Sequence, residues 1–311
     1  MVTGCGCRRC FDLKRSKSQF KAAGFGHGRE VLTIIDAQVH VWLPESPDRP
    51  WPPRGAARVQ LPYALDYTML LELMDEAGVD GAILVPPSWE GERNDHALEA
   101  AARFPNRFAV MGRLALDRPA NAERLRKWKA QRGMLGIRQV LMQERERAWL
   151  TDGTADWFWR AAEDAGVPVM LHAAGMMKEV SAIAEKHPGM TLVLDHFGLS
   201  SGIVKNGHIK EAIEDTAALA RHANVYVKVS AAPVYSREGY PFRDLDPHIK
   251  RLVDAYGPRR CFWGTDLSHA LGKATYRQCV THFTEALTFL SDQDKEWIMG
   301  GSLAKCLGWP I

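Results

Sequence analysis

The sequence predicts an α/β protein that folds as a (β/α)8 barrel, or TIM barrel, in a single domain at residues 31–311. Three observations support this prediction. From Val31 onward, eight short runs rich in β-branched residues alternate with amphipathic stretches of helical spacing. Glycine follows several of these stretches just before the next run, as in Asp75-Glu76-Ala77-Gly78-Val79. The chain of 311 residues is long enough for one barrel of ordinary size.

The eight predicted strands are the apolar runs at residues 31–40, 81–86, 108–114, 135–141, 167–172, 191–196, 225–230 and 261–266. The predicted helices lie near residues 66–77, 93–103, 120–131, 154–165, 177–187, 208–222, 246–256, 276–290 and 292–306. Strands that alternate with helices form parallel βαβ units, and eight such units close into a barrel. An open doubly wound sheet is the alternative, but it usually has a glycine-rich first turn. The first connection here is rich in proline instead and has no glycine before Gly55.

Residues 1–30 are expected to form a basic, disordered extension. They hold seven Lys and Arg residues against two acidic residues, a charge of +5, whereas the whole chain has a net charge of +3. The remainder is therefore slightly acidic, at −2, which gives no support for a nucleic-acid or membrane surface. Cys5, Cys7 and Cys10 form a C-x-C-x-x-C pattern, one ligand short of a structural zinc site.

The composition favours a cytoplasmic protein that acts on a small molecule. No apolar run approaches the length needed to cross a bilayer, and the first thirty residues lack the apolar core of a signal peptide. The spacing of the cysteines does not resemble a secreted disulfide framework. A homo-oligomer is compatible with the sequence.

Polar side chains are concentrated where the predicted strands end, and the carboxyl ends of barrel strands are where chemistry takes place. Alternate residues of a strand share one face, so Asp36, Gln38 and His40 are expected to converge on one spot. The other strand ends, with the segment after strand seven, supply Arg113, Arg138, His172, His196, Lys228, Ser230, Tyr235 and Asp266. Burying such groups without partners costs several kcal/mol each, so their coincidence at one rim indicates a functional site.

This series of strand ends resembles the amidohydrolase superfamily, family 2. The resemblance is carried by Ile-Ile-Asp-Ala-Gln38-Val-His40, Gly-Ile-Arg138-Gln, Met-Leu-His172, Leu-Asp-His196-Phe-Gly, Val-Lys228-Val-Ser and Trp-Gly-Thr-Asp266, and it covers about residues 33–308. Within the family, the chain is most similar to the branch of sugar-lactone and 2-pyrone-4,6-dicarboxylate lactonases. The resemblance implies a TIM-barrel hydrolase that acts on a carboxylic ester, opening the lactone ring of a small acidic or sugar-derived substrate.

The first strand departs from the family pattern in a way that bears on metal binding. The family has His-x-His, whereas this chain has Gln38-Val39-His40. A neutral amide oxygen is a poor ligand for a transition metal. The resemblance therefore implies that no cofactor is required, while one divalent metal, zinc or manganese, held by His40, His172 and Asp266 stays as the alternative.

The residues also predict a metal-free mechanism. Asp266 is expected to act as general base toward an attacking water, and His40, His172 and His196 are expected to donate hydrogen bonds to the developing oxyanion. Arg138 is expected to bind a substrate carboxylate, although an ion pair inside the barrel is its alternative role. Five further substrate-binding residues are predicted at the same rim, namely Gln38, Arg113, Lys228, Ser230 and Tyr235.

Three other functions compete with lactone hydrolysis. A serine hydrolase is suggested by the G-x-S-x-G pattern at residues 198–202, but no helix is expected directly behind its serine, Ser200. A metal-dependent decarboxylase of an aromatic or unsaturated acid is a second alternative, and Gln38 counts against it. A non-catalytic barrel that serves as a binding protein is the third.

Overall fold

The computed structural model describes residues 32–309, apart from Arg54. The predictions for residues 1–30 lie outside the described residues. Eight parallel strands form one sheet in the order in which they occur along the chain. Their bounds are β1 Ile35–Val39, β2 Gly81–Leu84, β3 Phe108–Gly112, β4 Met134–Val140, β5 Val169–His172, β6 Leu192–Leu194, β7 Val225–Ser230 and β8 Cys261–Gly264.

The sheet curls until its first and last strands meet. The amide of Asp266, just after β8, donates to the carbonyl of Gln38 on β1, 3.1 Å away. Small and apolar side chains such as Ala37, Val193 and Phe262 fill the barrel interior, and a larger apolar layer packs between the strands and the surrounding helices. The predicted (β/α)8 barrel is therefore confirmed.

Helices connect the strands and surround the barrel. Their bounds are α1 Tyr67–Ala77, α2 Asp95–Arg103, α3 Ala122–Arg126, α4 Glu144–Ala148, α5 Asp156–Asp164, α6 Met177–Lys186, α7 Ser201–Lys205, α8 Ile209–Ala218, α9 Ala232–Tyr235, α10 Asp246–Tyr256, α11 Leu267–Ala270, α12 Tyr276–Thr281, α13 Asp292–Glu296 and α14 Ser302–Leu307. Among these helices, none is long and apolar enough to cross a membrane.

The predicted helices agree with the structure where they are long, and differ where they are broken. The helix predicted near 120–131 is a short α3 between two 3-10 turns. The helix predicted at 276–290 ends in a π-helical turn at His282–Ala286, and the helix predicted at 292–306 is interrupted by one at Trp297–Gly301. The short helices α4, α7, α9 and α11 were not predicted, because one turn of helix is too short to show a periodic pattern.

The first strand contains a bulge that corrects the prediction for Asp36. Asp36 pairs with Ala82 and Val39 with Leu84, so β1 holds one residue more than β2 over this interval. The extra residue reverses the alternation of side chains. Gln38 and His40 therefore point toward the rim of the barrel, whereas Asp36 accepts hydrogen bonds from the Thr265 amide, at 2.9 Å, and the Tyr276 hydroxyl, at 2.9 Å. The three side chains do not converge on one spot.

Candidate active site

A cavity of about 490 Å³ lies at the carboxyl ends of the strands, where barrel chemistry takes place. Six of the predicted site residues line it, and the loops contribute the rest of its wall. Its lining consists of His40, Gln60, Ser88, Trp89, Arg138, Val140, Met142, Gln143, His172, His196, Ser200, Ser201, Gly202, Tyr235, Asp266 and His269.

Asp266 is a buried carboxylate at the bottom of this cavity. Its backbone has a φ of 50°, in the left-handed region that non-glycine residues rarely adopt. One carboxyl oxygen, Oδ1, lies 3.2 Å from Nε2 of His40, and the other lies 3.5 Å from Nδ1 of His269. Burial alone would raise the pKa of this carboxyl, but the two histidines and the nearby His196 bring the pKa well below its ordinary value. Asp266 is therefore ionised at neutral pH.

The backbone determines which nitrogen of His40 carries a proton. Nδ1 lies 2.7 Å from the carbonyl oxygen of Val85, and a carbonyl can only accept, so Nδ1 is the donor. Nε2 then faces the Asp266 carboxylate. Nε2 and Oδ1 are 3.2 Å apart, so His40 and Asp266 are paired side chains. The edge of Trp89 packs against the imidazole and helps to hold it.

Both ring nitrogens of His196 are occupied by the protein. Lys228 has only donors, so the atom of Gln38 that lies 2.7 Å from its ammonium must be the amide oxygen. The amide nitrogen of Gln38 is then the atom 3.1 Å from Nε2 of His196, and it donates to that nitrogen. Nδ1 of His196 donates to the hydroxyl of Ser230, 3.0 Å away.

This pairing leaves His196 neutral, and burial lowers its pKa to about 3. Neither of its ring nitrogens is available to donate a hydrogen bond into the cavity. This differs from the prediction that His40, His172 and His196 all donate hydrogen bonds to an oxyanion. The tautomer of an imidazole is set by the partners of both ring nitrogens, and here those partners come from distant strands.

His172 offers a hydrogen-bond acceptor, whereas the sequence predicted a donor. Its Nε2 lies 3.0 Å from the carbonyl oxygen of Leu199 and must donate to it. Burial, reinforced by the Arg138 guanidinium, lowers the pKa of this imidazole, which keeps it neutral. Nδ1 therefore carries a lone pair. His172 lines the cavity, and its Nδ1 has no hydrogen-bond partner among the described residues, so this nitrogen can accept a hydrogen bond.

Arg138, Asp195 and Lys228 form a buried ion cluster under one side of the cavity. Nε of Arg138 lies 2.8 Å from Oδ2 of Asp195, and the Lys228 ammonium lies 2.8 Å from Oδ1. Burial would raise the pKa of Asp195, but the two cations depress it far below its ordinary value. Two cations share one anion, so the cluster has a net charge of +1. The two terminal nitrogens of Arg138 make no hydrogen bond with any residue that the structure describes.

The remaining predicted residues lie at different depths. Tyr235 lines the cavity, and burial raises the pKa of its hydroxyl, which therefore stays protonated and able to donate. Gln38, Lys228 and Ser230 are fully buried beneath the imidazoles and do not line the cavity. Arg113 also lies outside the lining, and its Nε donates to the carbonyl of Gly91. Burial and the neighbouring Arg138 lower the pKa of Arg113 to about 10.

The G-x-S-x-G segment corrects one prediction. Helix α7 begins directly after Ser200, so the expectation that no helix follows the serine is wrong. The hydroxyl of Ser200 caps this helix by accepting from the amide of Ile203, 3.3 Å away. Its φ of −138° is ordinary extended backbone, whereas a nucleophile elbow holds its serine in a strained turn. Among the described residues, no histidine is hydrogen-bonded to Ser200.

The three predicted metal ligands, His40, His172 and Asp266, all line the cavity. Over residues 32–309 without Arg54, no three His, Cys, Asp or Glu side chains lie close enough together to hold a metal ion. His40 and Asp266 contact each other, but the predicted set of His40, His172 and Asp266 does not form a group of three donors in the part of the chain that the structure describes. Catalytic zinc sites normally use three protein ligands and one open position.

Sequence reasoning missed four residues of the site. Asp195 is recognised from the sequence only as part of the Leu-Asp-His196 motif. A carboxylate is nevertheless expected beside the two predicted cations, Arg138 and Lys228. His269 lies three residues after Asp266, a spacing that brings side chains together on a helix. Gln60 and Trp89 come from long connections and reach the cavity only through the fold, so nothing in the sequence indicated them.

The fold and this arrangement of strand-end residues define an amidohydrolase-type barrel. The family model described as amidohydrolase matches residues 35–308, and the chain belongs to that family.

Particular relatives place the chain near the lactone-hydrolysing members. It is 28% identical over 301 residues to L-fucono-1,5-lactonase of Burkholderia multivorans, covering 89% of this chain and 96% of the relative. It is 25% identical over 237 residues to 4-sulfomuconolactone hydrolase of Hydrogenophaga intermedia, covering 76% and 74% of the two chains. A crystal structure of an amidohydrolase from Burkholderia multivorans with bound zinc superposes with a TM-score of 0.76 at 22% identity, covering 89% of this chain and all of that one.

Proposed function

We propose that this protein hydrolyses the ester bond of a small lactone, with Asp266 as the general base. The observation that carries the proposal is an ionised, buried carboxylate at the bottom of a cavity in a strand-end position, paired with His40. The relatives named as a lactonase and a lactone hydrolase support the reaction class.

The chemistry follows from the donors and acceptors of the cavity. Asp266 accepts a proton from water as the water oxygen attacks the lactone carbonyl carbon, and the lone pair of His172 Nδ1 orients that water. The negative charge that develops on the carbonyl oxygen receives a hydrogen bond from the Tyr235 hydroxyl and, once Asp266 has taken the proton from water, from an N–H at Nε2 of His40, each worth about 3 to 4 kcal/mol when well placed. Protonated Asp266 then returns its proton to the ring oxygen as the carbon–oxygen bond breaks. The product is an open-chain hydroxy acid.

Arg138 defines the second half of the proposal, an acidic substrate. Its Nε is bound to Asp195, and its two terminal nitrogens are left for a ligand. A guanidinium binds a carboxylate through two parallel hydrogen bonds. The net charge of +1 on the buried cluster of Arg138, Asp195 and Lys228 also favours an anion, because uncompensated buried charge is costly.

The test is proton release from a panel of neutral sugar lactones, muconate-derived lactones and pyrone-dicarboxylate lactones, with the protein held in strong chelator. We expect turnover of at least one lactone that carries a carboxylate, at a kcat/KM at least tenfold above that for the neutral lactones. Carbon dioxide release from an aromatic acid would contradict the proposal and favour the decarboxylase, and lactone turnover only after zinc or manganese is added would contradict the metal-free mechanism.

A further inference from the structure

Gln38 on β1 makes contacts that the proposed hydrolysis does not explain. Gln38 is fully buried, does not line the cavity and still contacts two groups of the site. Its amide joins Lys228 on one side to His196 on the other, at 2.7 and 3.1 Å. The two contacts join residues 190 and 158 positions apart in the chain, from β1 to β7 and to the turn after β6.

We propose that Gln38 is a positioning residue that locks His196 as a neutral imidazole with its proton on Nδ1, and that it thereby withholds His196 from any transition metal at this site.

The first step of the argument is the direction of the amide. Lys228 lies between Asp195 and Gln38 and can only donate, so it fixes the amide oxygen of Gln38 toward itself. The amide nitrogen is left facing His196. Rotating the amide by half a turn would place an NH2 group against an ammonium group and a carbonyl oxygen against a ring nitrogen. Both contacts would be lost in a region without water access.

The second step concerns the imidazole. A ring nitrogen binds a metal through its lone pair, and the Nε2 lone pair of His196 is already occupied by the Gln38 amide. Nδ1 is occupied by its own proton, which it donates to Ser230. Both ring nitrogens of His196 are therefore engaged, and a metal would have to displace a buried hydrogen bond to bind either of them.

The third step is electrostatic. The Lys228 ammonium lies directly behind Gln38, and Arg138 lies on the other side of Asp195. A divalent cation placed beside His196 would meet these two fixed cations, while the nearby carboxylates of Asp195 and Asp266 already have cationic or imidazole partners. The hydrogen-bonded series of Lys228, Gln38, His196 and Ser230 holds the amide and the imidazole in these orientations.

The experiment has two arms, and the first uses the native protein. Zinc content is measured after dialysis against chelator and again after incubation with one equivalent of zinc followed by desalting. We expect less than 0.1 zinc per chain in both samples. A zinc content near one per chain after desalting would overturn the proposal.

The second arm reads the imidazole directly, through the ring nitrogen resonances of histidine labelled with nitrogen-15. In the native protein we expect a neutral histidine protonated on Nδ1 whose signal is altered by Gln38→Glu, since a carboxylate oxygen facing Nε2 stabilises a proton there and gives a doubly protonated ring. The same exchange at the half-buried capping residue Gln278, Gln278→Glu, should leave every histidine signal in place. Histidine spectra of Gln38→Glu that superpose on the native spectra would overturn the assignment.

The turnover of Gln38→Glu distinguishes a role of Gln38 in positioning His196 from a role in folding alone. We expect kcat to fall at least tenfold while KM changes less than threefold, because Gln38 does not reach the cavity. This readout rests on the proposed lactonase function, whereas zinc content and ring nitrogen signals do not. If no lactone is hydrolysed by the native protein, the proposed function fails and the other two readouts still decide the role of Gln38. If Gln38→Glu does not fold, native zinc content and the native histidine signals decide it.

Discussion

Nε2 of His40 lies 3.2 Å from Oδ1 of Asp266, at the seam where the first and last strands of the barrel meet. The contact joins residues at opposite ends of the domain, and the carbonyl of Val85 fixes the far side of the imidazole ring. In the proposed mechanism, an ionised carboxylate held in this way accepts a proton from water while His40 stays beside the developing oxyanion.

The substitution Asp266→Asn tests the general base. The amide has the same shape but cannot accept a proton from water, so we expect kcat to fall about 10²- to 10⁴-fold with the fold retained. The measurement is steady-state hydrolysis of the best lactone, with circular dichroism as a check of folding. The same exchange at the exposed Asp254, Asp254→Asn, should leave kcat unchanged. Undiminished turnover by Asp266→Asn would remove Asp266 from the mechanism.

Arg138→Lys tests carboxylate binding. Lysine keeps the positive charge near Asp195 but cannot make two parallel hydrogen bonds, so we expect KM for an acidic lactone to rise about 10- to 100-fold. A neutral lactone should show less than a threefold change. The exposed Arg251, which binds Glu214 on the outer surface, offers the matched control Arg251→Lys. Equal losses for acidic and neutral lactones would mean that Arg138 serves the ion cluster and not the substrate.

Lys228→Met tests the buried ion cluster through stability. Removing the ammonium leaves the Gln38 oxygen and one oxygen of Asp195 without their partner at positions with no solvent exposure. We expect the free energy of unfolding in urea to fall by about 3 to 5 kcal/mol. The same exchange at Lys250, whose ion pair with Asp254 is exposed, should change it by less than about 0.5 kcal/mol. Similar values for both variants would show that the cluster contributes little.

Ser200→Ala distinguishes a helix cap from a nucleophile. Loss of the cap on α7 is expected to lower the free energy of unfolding by about 0.5 to 2 kcal/mol, while turnover stays within threefold of the native value. Ser291 caps α13 on the outside of the barrel, so Ser291→Ala should show a similar stability loss. Complete loss of turnover in Ser200→Ala, with the fold retained, would restore the serine hydrolase.

The raised pKa of Asp36 predicts that the free energy of unfolding depends on pH. Burial is the main cause that raises its pKa from 3.8 to about 6, so the folded protein binds this proton more tightly than the unfolded chain does. The resulting stabilisation is fully present below pH 3.8 and is lost as the pH rises through about 6. At about 1.4 kcal/mol per pKa unit, the loss reaches about 3 kcal/mol.

The variant Asp36→Asn isolates this contribution, because an amide does not titrate in that range. The measurement is urea unfolding of both proteins at pH 4.5 and pH 7.5. We expect the stability of Asp36→Asn relative to the native protein to increase by about 2 kcal/mol between the two pH values. An equal difference at both pH values would show that Asp36 does not titrate in the window.

The order of strands and helices could be read from the sequence because each strand is a local apolar run and each long helix has its own periodic pattern. Parallel strands place their carboxyl ends at one rim, so the same reasoning indicated Asp266, His40, His172, His196, Arg138 and Tyr235, all of which line the cavity. The identity of these side chains, and their common rim, were determined by the sequence alone.

The tertiary structure decided which way each group faces and what it can do. The bulge in β1 turned Asp36 away from Gln38 and His40, and an alternation rule cannot reveal an inserted residue. The proton positions on His40, His172 and His196 are determined by partners from other strands and loops, such as the Val85 carbonyl and the Gln38 amide. A hydrogen bond between distant residues depends on atomic positions to within a few tenths of an ångström, and only the closed barrel specifies those positions.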